Sequence, residues 1–244
     1  MVTEERWIAA QAYEKSYWQN LASQIASGSQ SQLGWYAWKA KMMEEHLGNR
    51  LTSQQRSLVN VLEIGSGPIG IVTFLNWGNR YTLDPLEEFY AADSTLSKLR
   101  SQEVKYGKGG GEKIPFESGR FTVIILDNVL DHVHTAGQVL KEIHRTMARD
   151  GLFYVAVNIH TTWGGFLHGI LSKLKIDRGH PYTFTKESIR KFLSQHGFAI
   201  KAEFINNYKE AKAEDLRSSS VKSNIKAYTG LSEFVYHAVC SKVD

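Results

Sequence analysis

Residues 61 to 70 read VLEIGSGPIG, an apolar run that reaches an acid and then turns through three glycines. A parallel strand hands over to a helix or turn in this way where backbone must come close to a nucleotide-like ligand. Gly65, Gly67 and Gly70 take side chains out of that approach, while Glu63 sets a carboxylate at the carboxyl end of the strand. An acid at that position favours a cationic ligand over a phosphate.

From about residue 58 onward, short apolar runs alternate with amphipathic segments, the pattern of a doubly wound α/β fold with a mostly parallel sheet. Strands are expected at 58–64, 80–84, 104–106, 121–126 and 152–158, with helices at 68–76, 86–100 and 135–148. The last of these helices is expected to close at Arg149-Asp150-Gly151. A further helix over 186–195 precedes two runs rich in β-formers, 198–206 and 233–241, which read as an antiparallel pair at one edge of a seven-stranded sheet. A long polar connection joins them. Residues 1–57 carry helical periodicity through Trp7, Ile8, Tyr13, Tyr17, Trp18, Leu21 and Ile25, then again over 35–47. The chain thus divides into an N-terminal helical cap, 1–57, and a ligand-binding domain, 58–244, with a substrate-side insertion at 159–184.

A chain of 244 residues with 42% hydrophobic and 22% charged residues has ordinary globular composition. Its net charge of +4 comes from scattered lysines and arginines, which is no footprint for nucleic acid. The single cysteine, Cys240, allows no intrachain disulfide and suits a reducing cytoplasm. The first residues lack the basic start and apolar block of a signal peptide, and no apolar run approaches the roughly 20 residues that span a bilayer. No stable membrane insertion is expected.

Asp84 ends the second expected strand, in YTLDP, about 20 residues beyond the glycine turn, where a carboxylate can accept both hydroxyls of a ribose. Singly, Glu63 reads equally well as a salt-bridged strand end and Asp84 as an N-cap for a helix opening at Pro85. Two acids on adjoining strand ends, with a glycine turn between them, fit a nucleoside better. A dinucleotide fits less well, because Glu63 would repel a pyrophosphate.

Over about 60–200 the chain resembles the class I S-adenosylmethionine-dependent methyltransferases of the small-molecule type. VLEIGSGPIG is similar to their first motif, YTLDP to the acidic end of the second strand, GEKIPFESGRFTVIILDNVLDHV to the adenine-side segment and fourth strand, and RTMARDGLFYVAVN to the fifth. The resemblance implies S-adenosyl-L-methionine as cofactor. By it, Glu63, Gly65, Ser66 and Gly67 line the methionine and ribose side, Asp84 holds the ribose hydroxyls and Pro85 flanks the adenine. The family often carries an acid just before the pair matched by Gly111 and Glu112, and this chain has Gly110 there. Either Glu112 takes over, or backbone groups of Gly111 and Glu112 read the base. Asp127 and Asn128, after FTVIIL, face the methionine part; a plain turn is the other reading.

Methyl transfer from a sulfonium is an in-line displacement, in which positioning does most of the work and a general base matters only where the acceptor must lose a proton. His132, His160 and His180 are the candidate catalytic residues, His132 beside the cofactor and the other two on the acceptor side. Trp18, Trp35, Tyr36 and Trp38 read either as core aromatics of the helical cap or as flat walls for a ring-bearing acceptor, with Trp18 and Trp35 the candidate substrate residues. Trp163 and Phe166 lie on an amphipathic segment, 163–174, open to three readings: core packing, a lid over the substrate, or a weak membrane-surface contact. Asp127, Asn128 and Asp131 make an acidic turn without a convincing ligand set, so no metal is expected. The stretch VNIHTTW lacks the Asn/Asp-Pro-Pro-aromatic tetrad of nucleic-acid amino-methylating enzymes. The expected activity is therefore O- or N-methylation of a small organic acceptor, such as a sugar, lipid-like molecule or secondary metabolite. The alternative is a methyltransferase fold that serves binding, scaffolding or another reaction.

Overall fold

The run NVLEI has four successive buried residues, and a strand apolar on both faces belongs in the middle of a parallel sheet. In the computed structural model, which describes residues 3–29, 33–51, 58–173 and 182–243, that strand is β1 (Asn60–Ile64). It lies between β2 (Asn79–Asp84) and β4 (Phe121–Asp127), parallel to both. β3 (Val104–Lys108) extends the sheet beyond β2, and β5 (Met147–Ile159) extends it beyond β4. β7 (Phe234–Lys242) runs antiparallel to β5 and to the edge strand β6 (Phe198–Ile205), giving the order β3-β2-β1-β4-β5-β7-β6. The winding reverses between β1 and β4. A crevice opens at their carboxyl ends, where such sheets bind ligands.

Side chains alternate between two apolar layers. Val61, Val123, Ile125 and Tyr154 pack on one side with Trp18, Leu21, Tyr36 and Met43 of α1 (Glu4–Ala26) and α2 (Trp35–Leu47). Leu62, Ile64, Ile124, Leu126 and Phe153 pack on the other with Val139, Leu140 and Ile143 of α4 (Ala136–Thr146), and with Ile189 and Leu193 of α6 (Lys186–Gln195). The two N-terminal helices are thus part of the main core.

Several expected elements are shorter or differ in kind. The helix expected over 68–76 is only a 3-10 turn, Ile71–Phe74, because Gly67 and Gly70 both take positive φ and the chain must reach β2 within a few residues. The helix expected over 86–100 stops after α3 (Glu87–Ala92), where the Asp93 carboxylate accepts from the backbone N–H groups of Thr95 and Leu96. The Arg149-Asp150-Gly151 segment does not close α4, which ends at Thr146; it lies within β5, beside a register shift against β4. The polar connection after β6 forms two helices, α7 (Tyr208–Arg217) and α8 (Val221–Thr229), capped by Asn207 and Ser220. No helix among the described residues is long and apolar enough to cross a membrane.

The amphipathic insertion forms α5 (Thr162–Lys173), with its faces reversed from a core-packing helix. Gly164, His168 and Ser172, at four-residue steps, are buried, whereas Trp163 and Phe166 are 61% and 63% exposed. The Gly164 site lies so close to the Gly230 carbonyl that a Cβ there would sit 2.5 Å from it, and Arg6 of α1 donates to Ser172 Oγ at 2.9 Å. Close approach through small residues on that face leaves the bulky ones outside.

Candidate active site

β1 ends at the glycine turn, and the turn is held from three directions. Gly65 N–H donates to the Leu83 carbonyl at 2.8 Å, Gly67 N–H donates to Asp84 Oδ2 at 2.9 Å, and Tyr36 Oη donates to the Ser66 carbonyl at 3.1 Å. Two of the glycines are sterically required. Both take positive φ, and a Cβ on Gly65 would lie 2.4 Å from a Val129 methyl, while one on Gly67 would lie 2.6 Å from Tyr36 Oη.

A cavity of about 440 Å³ opens over this turn. Its floor comes from the carboxyl ends of β1, β2 and β4, through Glu63, Asp84, Asp127 and Asn128, and its roof from Trp18, Trp35, Tyr36 and Lys39 of the N-terminal helices. Gly65, Ser66, Gly67, Pro85, Gly111, Glu112 and His132 complete the set of sequence-derived residues that line it. The geometry brings these together from six separate stretches of chain.

The two acids are buried. Glu63 Oε2 accepts from Val72 N–H at 3.0 Å, yet burial still pushes its carboxyl up to about 8, with Asp127 adding repulsion. Asp84 accepts from Leu86 N–H through Oδ1 as well as from Gly67, and burial pushes it up to about 6. Asp84 therefore does cap the turn opening at Pro85, as the simpler reading had it, while still facing the cavity. Asp127 is ion-paired with Lys39. Asn128 adopts left-handed backbone with φ 57° and accepts from Asn158 Nδ2 at 2.8 Å.

Glu112 has a partner that the sequence did not suggest. Its Oε1 accepts from the backbone N–H groups of His134 and Thr135, satisfying the start of α4. This favours backbone groups of Gly111 and Glu112 as readers of a base at that end.

Three acceptor-side residues, His160, Trp163 and Phe166, lie elsewhere, a correction to their expected location. His160 is 4% exposed, stacks on His168 at 4.6 Å and sits 3.7 Å from Glu233, whose other carboxylate oxygen is ion-paired with Lys226. It joins β5, α5 and α8 and does not line the cavity. Trp163 and Phe166 project from α5 away from it, with Trp163 Nε1 donating to the Thr229 carbonyl at 3.2 Å. His180 lies outside the described residues. Sequence reasoning in turn passed over Lys39, which stands three residues beyond Tyr36 on α2 and lines the cavity with it.

The sheet order and this strand edge are those of the class I methyltransferase fold. Residues 62–155 match the family model described as Methyltransferase domain. Among solved structures, the chain is similar to geranyl diphosphate C-methyltransferase from Streptomyces coelicolor A3(2), determined with S-adenosyl-L-homocysteine, at 11% identity and a TM-score of 0.60 over 85% of this chain and 79% of that one. It is similar to the YcgJ protein of Bacillus subtilis at 14% identity and a TM-score of 0.52, over 78% and 94%. It is also similar to the [4+2]-cyclase SpnF at 12% identity and a TM-score of 0.57, over 85% and 81%. S-adenosylmethionine is the cofactor of this class, and the donor set fits it. Buried carboxylates suit an ammonium group and ribose hydroxyls, and the one lysine among the described residues of the lining, Lys39, is engaged by Asp127, so the described residues offer no cationic cradle for a pyrophosphate.

Proposed function

We propose that the chain transfers a methyl group from S-adenosylmethionine to oxygen or nitrogen of a small organic acceptor. The observation that carries this reading is the pair of buried carboxylates, Glu63 and Asp84, on adjoining strand ends beneath an aromatic roof. The bound cofactor supplies an electrophilic methyl carbon. Glu63, Gly65, Ser66 and Gly67 take the amino-acid and ribose side, Asp84 the ribose hydroxyls, and Pro85 with Gly111 and Glu112 the adenine. Asp127, Asn128 and His132 face the methionine end, and Trp18 and Trp35 restrict water and orient the acceptor. The scattered basic charge speaks against a nucleic-acid acceptor, and the lone buried Cys240 fits a reducing cytoplasm.

The similarity to a [4+2]-cyclase keeps a second reading in view, the same fold serving a reaction other than methyl transfer. Calorimetry with S-adenosylhomocysteine, followed by mass-spectrometric screening of hydroxylated and amine acceptors for a methyl gain, separates the two. Tight binding without any methylated product across the screen would favour the second; no binding at all would defeat both.

A further inference from the structure

A second cavity, of about 180 Å³, adjoins the first and shares Lys39, Asp127 and Asn128 with it. Its other walls are Trp38 and Met42 of α2, Asn158 near the end of β5, Asn206 after β6, and Val235 and His237 of β7. It thus opens at the carboxyl ends of β4 and β5. Lys39 and Asp127 neutralise each other, so the remaining polar lining is three carboxamides and one imidazole. Such a set hydrogen-bonds a neutral hydroxylated group without demanding charge.

His237 is 2% exposed. Its Nδ1 lies 2.9 Å from Tyr154 Oη, and Tyr154 Oη lies 3.4 Å from Nδ1 of His46, which is stacked on Phe204 and only partly buried. Nε2 of His237 is buried with no hydrogen-bond partner among the described residues. A buried ring nitrogen left unpaired is costly, and His237 belongs to the lining of the cavity, where a ligand can complete it.

We infer that this second cavity receives a hydroxyl-bearing end of the acceptor, that His237 Nε2 takes the hydroxyl proton, and that Tyr154 and His46 carry the charge outward. The inference rests on the methyltransferase reading above. The hydrogen bonds admit two arrangements, and the relay uses the one in which the single Tyr154 hydrogen serves His46 Nδ1, so that His237 donates through Nδ1 and Nε2 is a bare acceptor. When the acceptor's O–H bond breaks, its electron pair stays on oxygen and the proton binds Nε2. The Nδ1 proton passes to Tyr154 Oη as the phenol proton passes to His46 Nδ1.

Burial, with Lys39 and His46 nearby on α2, pushes His237 down to about 4. The ring is therefore neutral at physiological pH and disposed to pass a proton on rather than hold it. The other titratable groups around this chain are Tyr154 on β5, which burial holds far above its usual range, and Asp127 on β4. His237 is the proposed catalytic residue; Tyr154 and His46 act through it.

Long-range proton–nitrogen NMR of the histidine-labelled full chain, with and without S-adenosylhomocysteine, tests the arrangement. At neutral pH the wild type is expected to show His237 uncharged, with Nδ1 protonated and Nε2 bare. Ethanol, as a small hydroxyl probe, should shift the Nε2 resonance. His46→Phe keeps a ring against Phe204 but removes the acceptor, so the Tyr154 hydrogen turns to His237 Nδ1 and Nε2 moves into the protonated range. Tyr154→Phe should likewise abolish the fixed tautomer. A wild-type Nε2 that is already protonated, a tautomer unchanged in His46→Phe, or an Nε2 resonance indifferent to ethanol would each overturn the relay. Failure of S-adenosylhomocysteine to bind would instead undo the methyltransferase reading, since the tautomer is read without it.

Discussion

Tyr36 Oη donates a 3.1 Å hydrogen bond to the Ser66 carbonyl, so a helix from the N-terminal cap closes the glycine turn after β1. Both groups are buried, and Tyr36→Phe leaves the carbonyl without that donor. A stability loss of about 1–3 kcal/mol is expected, measured by denaturant unfolding. Because the turn lines the cavity, S-adenosylhomocysteine affinity should fall in the same variant. Unchanged stability and affinity would mean that the cap merely rests on the turn.

Gly65 offers a steric test of the same turn. An alanine there must hold φ near 68° and bring its Cβ to 2.4 Å from Val129. The left-handed conformation costs roughly 1–2 kcal/mol and the overpacking roughly 1–3 kcal/mol. Gly65→Ala should therefore lose about 2–5 kcal/mol. Combining it with Val129→Ala removes the clash but not the backbone strain, so the double variant should recover part of the loss. Strict additivity of the two single changes would exclude the contact as the cause.

Much of this was legible in the sequence, and the gaps have physical causes. VLEIGSGPIG and YTLDP located Glu63, Asp84 and the turn because strand ends and glycines are local signals. Lys39 was not legible and Tyr36 was legible only as a core or wall aromatic, since a helix periodicity gives a face but not the sheet edge that it meets. His160 and Trp163 misled for a related reason. Both follow β5 closely, but Gly164 lets α5 dock so tightly on Gly230 that His160 is sealed beneath it and Trp163 is turned outward. His237 was invisible because its partners, Tyr154 and His46, are 83 positions away and on a separate helix respectively.

Glu63 couples the site to pH. Its carboxyl moves from 4.5 up to about 8 on folding, so the folded chain holds a proton that the unfolded chain releases between those values. That contribution to stability is complete below about pH 4.5 and is lost as pH rises through about 8, on the order of a few kcal/mol in all. Asp84 adds the same sign between 3.8 and about 6. Glu63→Gln should flatten the fall in melting temperature over the upper part of this range. A cationic ligand favours the charged carboxylate, so S-adenosylmethionine should bind with proton release near pH 7, seen by calorimetry in buffers of different ionisation heat. Release of equal size in Glu63→Gln would assign the proton elsewhere.

Asp84 holds two backbone N–H groups, those of Gly67 and Leu86, and faces the cavity. Asp84→Ala should reduce S-adenosylhomocysteine affinity at least tenfold, about 1.4 kcal/mol, through both the lost ribose acceptor and the loosened turn. Asp84→Asn retains one acceptor oxygen for the turn. Its affinity should fall between those of the wild type and the alanine variant, and an asparagine variant that binds as well as the wild type would leave Asp84 a purely structural cap.

Phe166 separates a pocket wall from an outer face. It stands 63% exposed on α5, on the side away from Gly164, His168 and Ser172, and does not line the described cavities. Phe166→Ser removes little buried surface, so stability should stay within about 0.5 kcal/mol of the wild type, and S-adenosylhomocysteine affinity should not change. His168→Ala, by contrast, breaks a 2.7 Å hydrogen bond to Thr183 and unstacks His160, and should cost about 1–3 kcal/mol. If the serine variant proved as damaging as the alanine one, the outward face of α5 would have to pack against the rest of the chain, and its role as an acceptor wall would be reinstated.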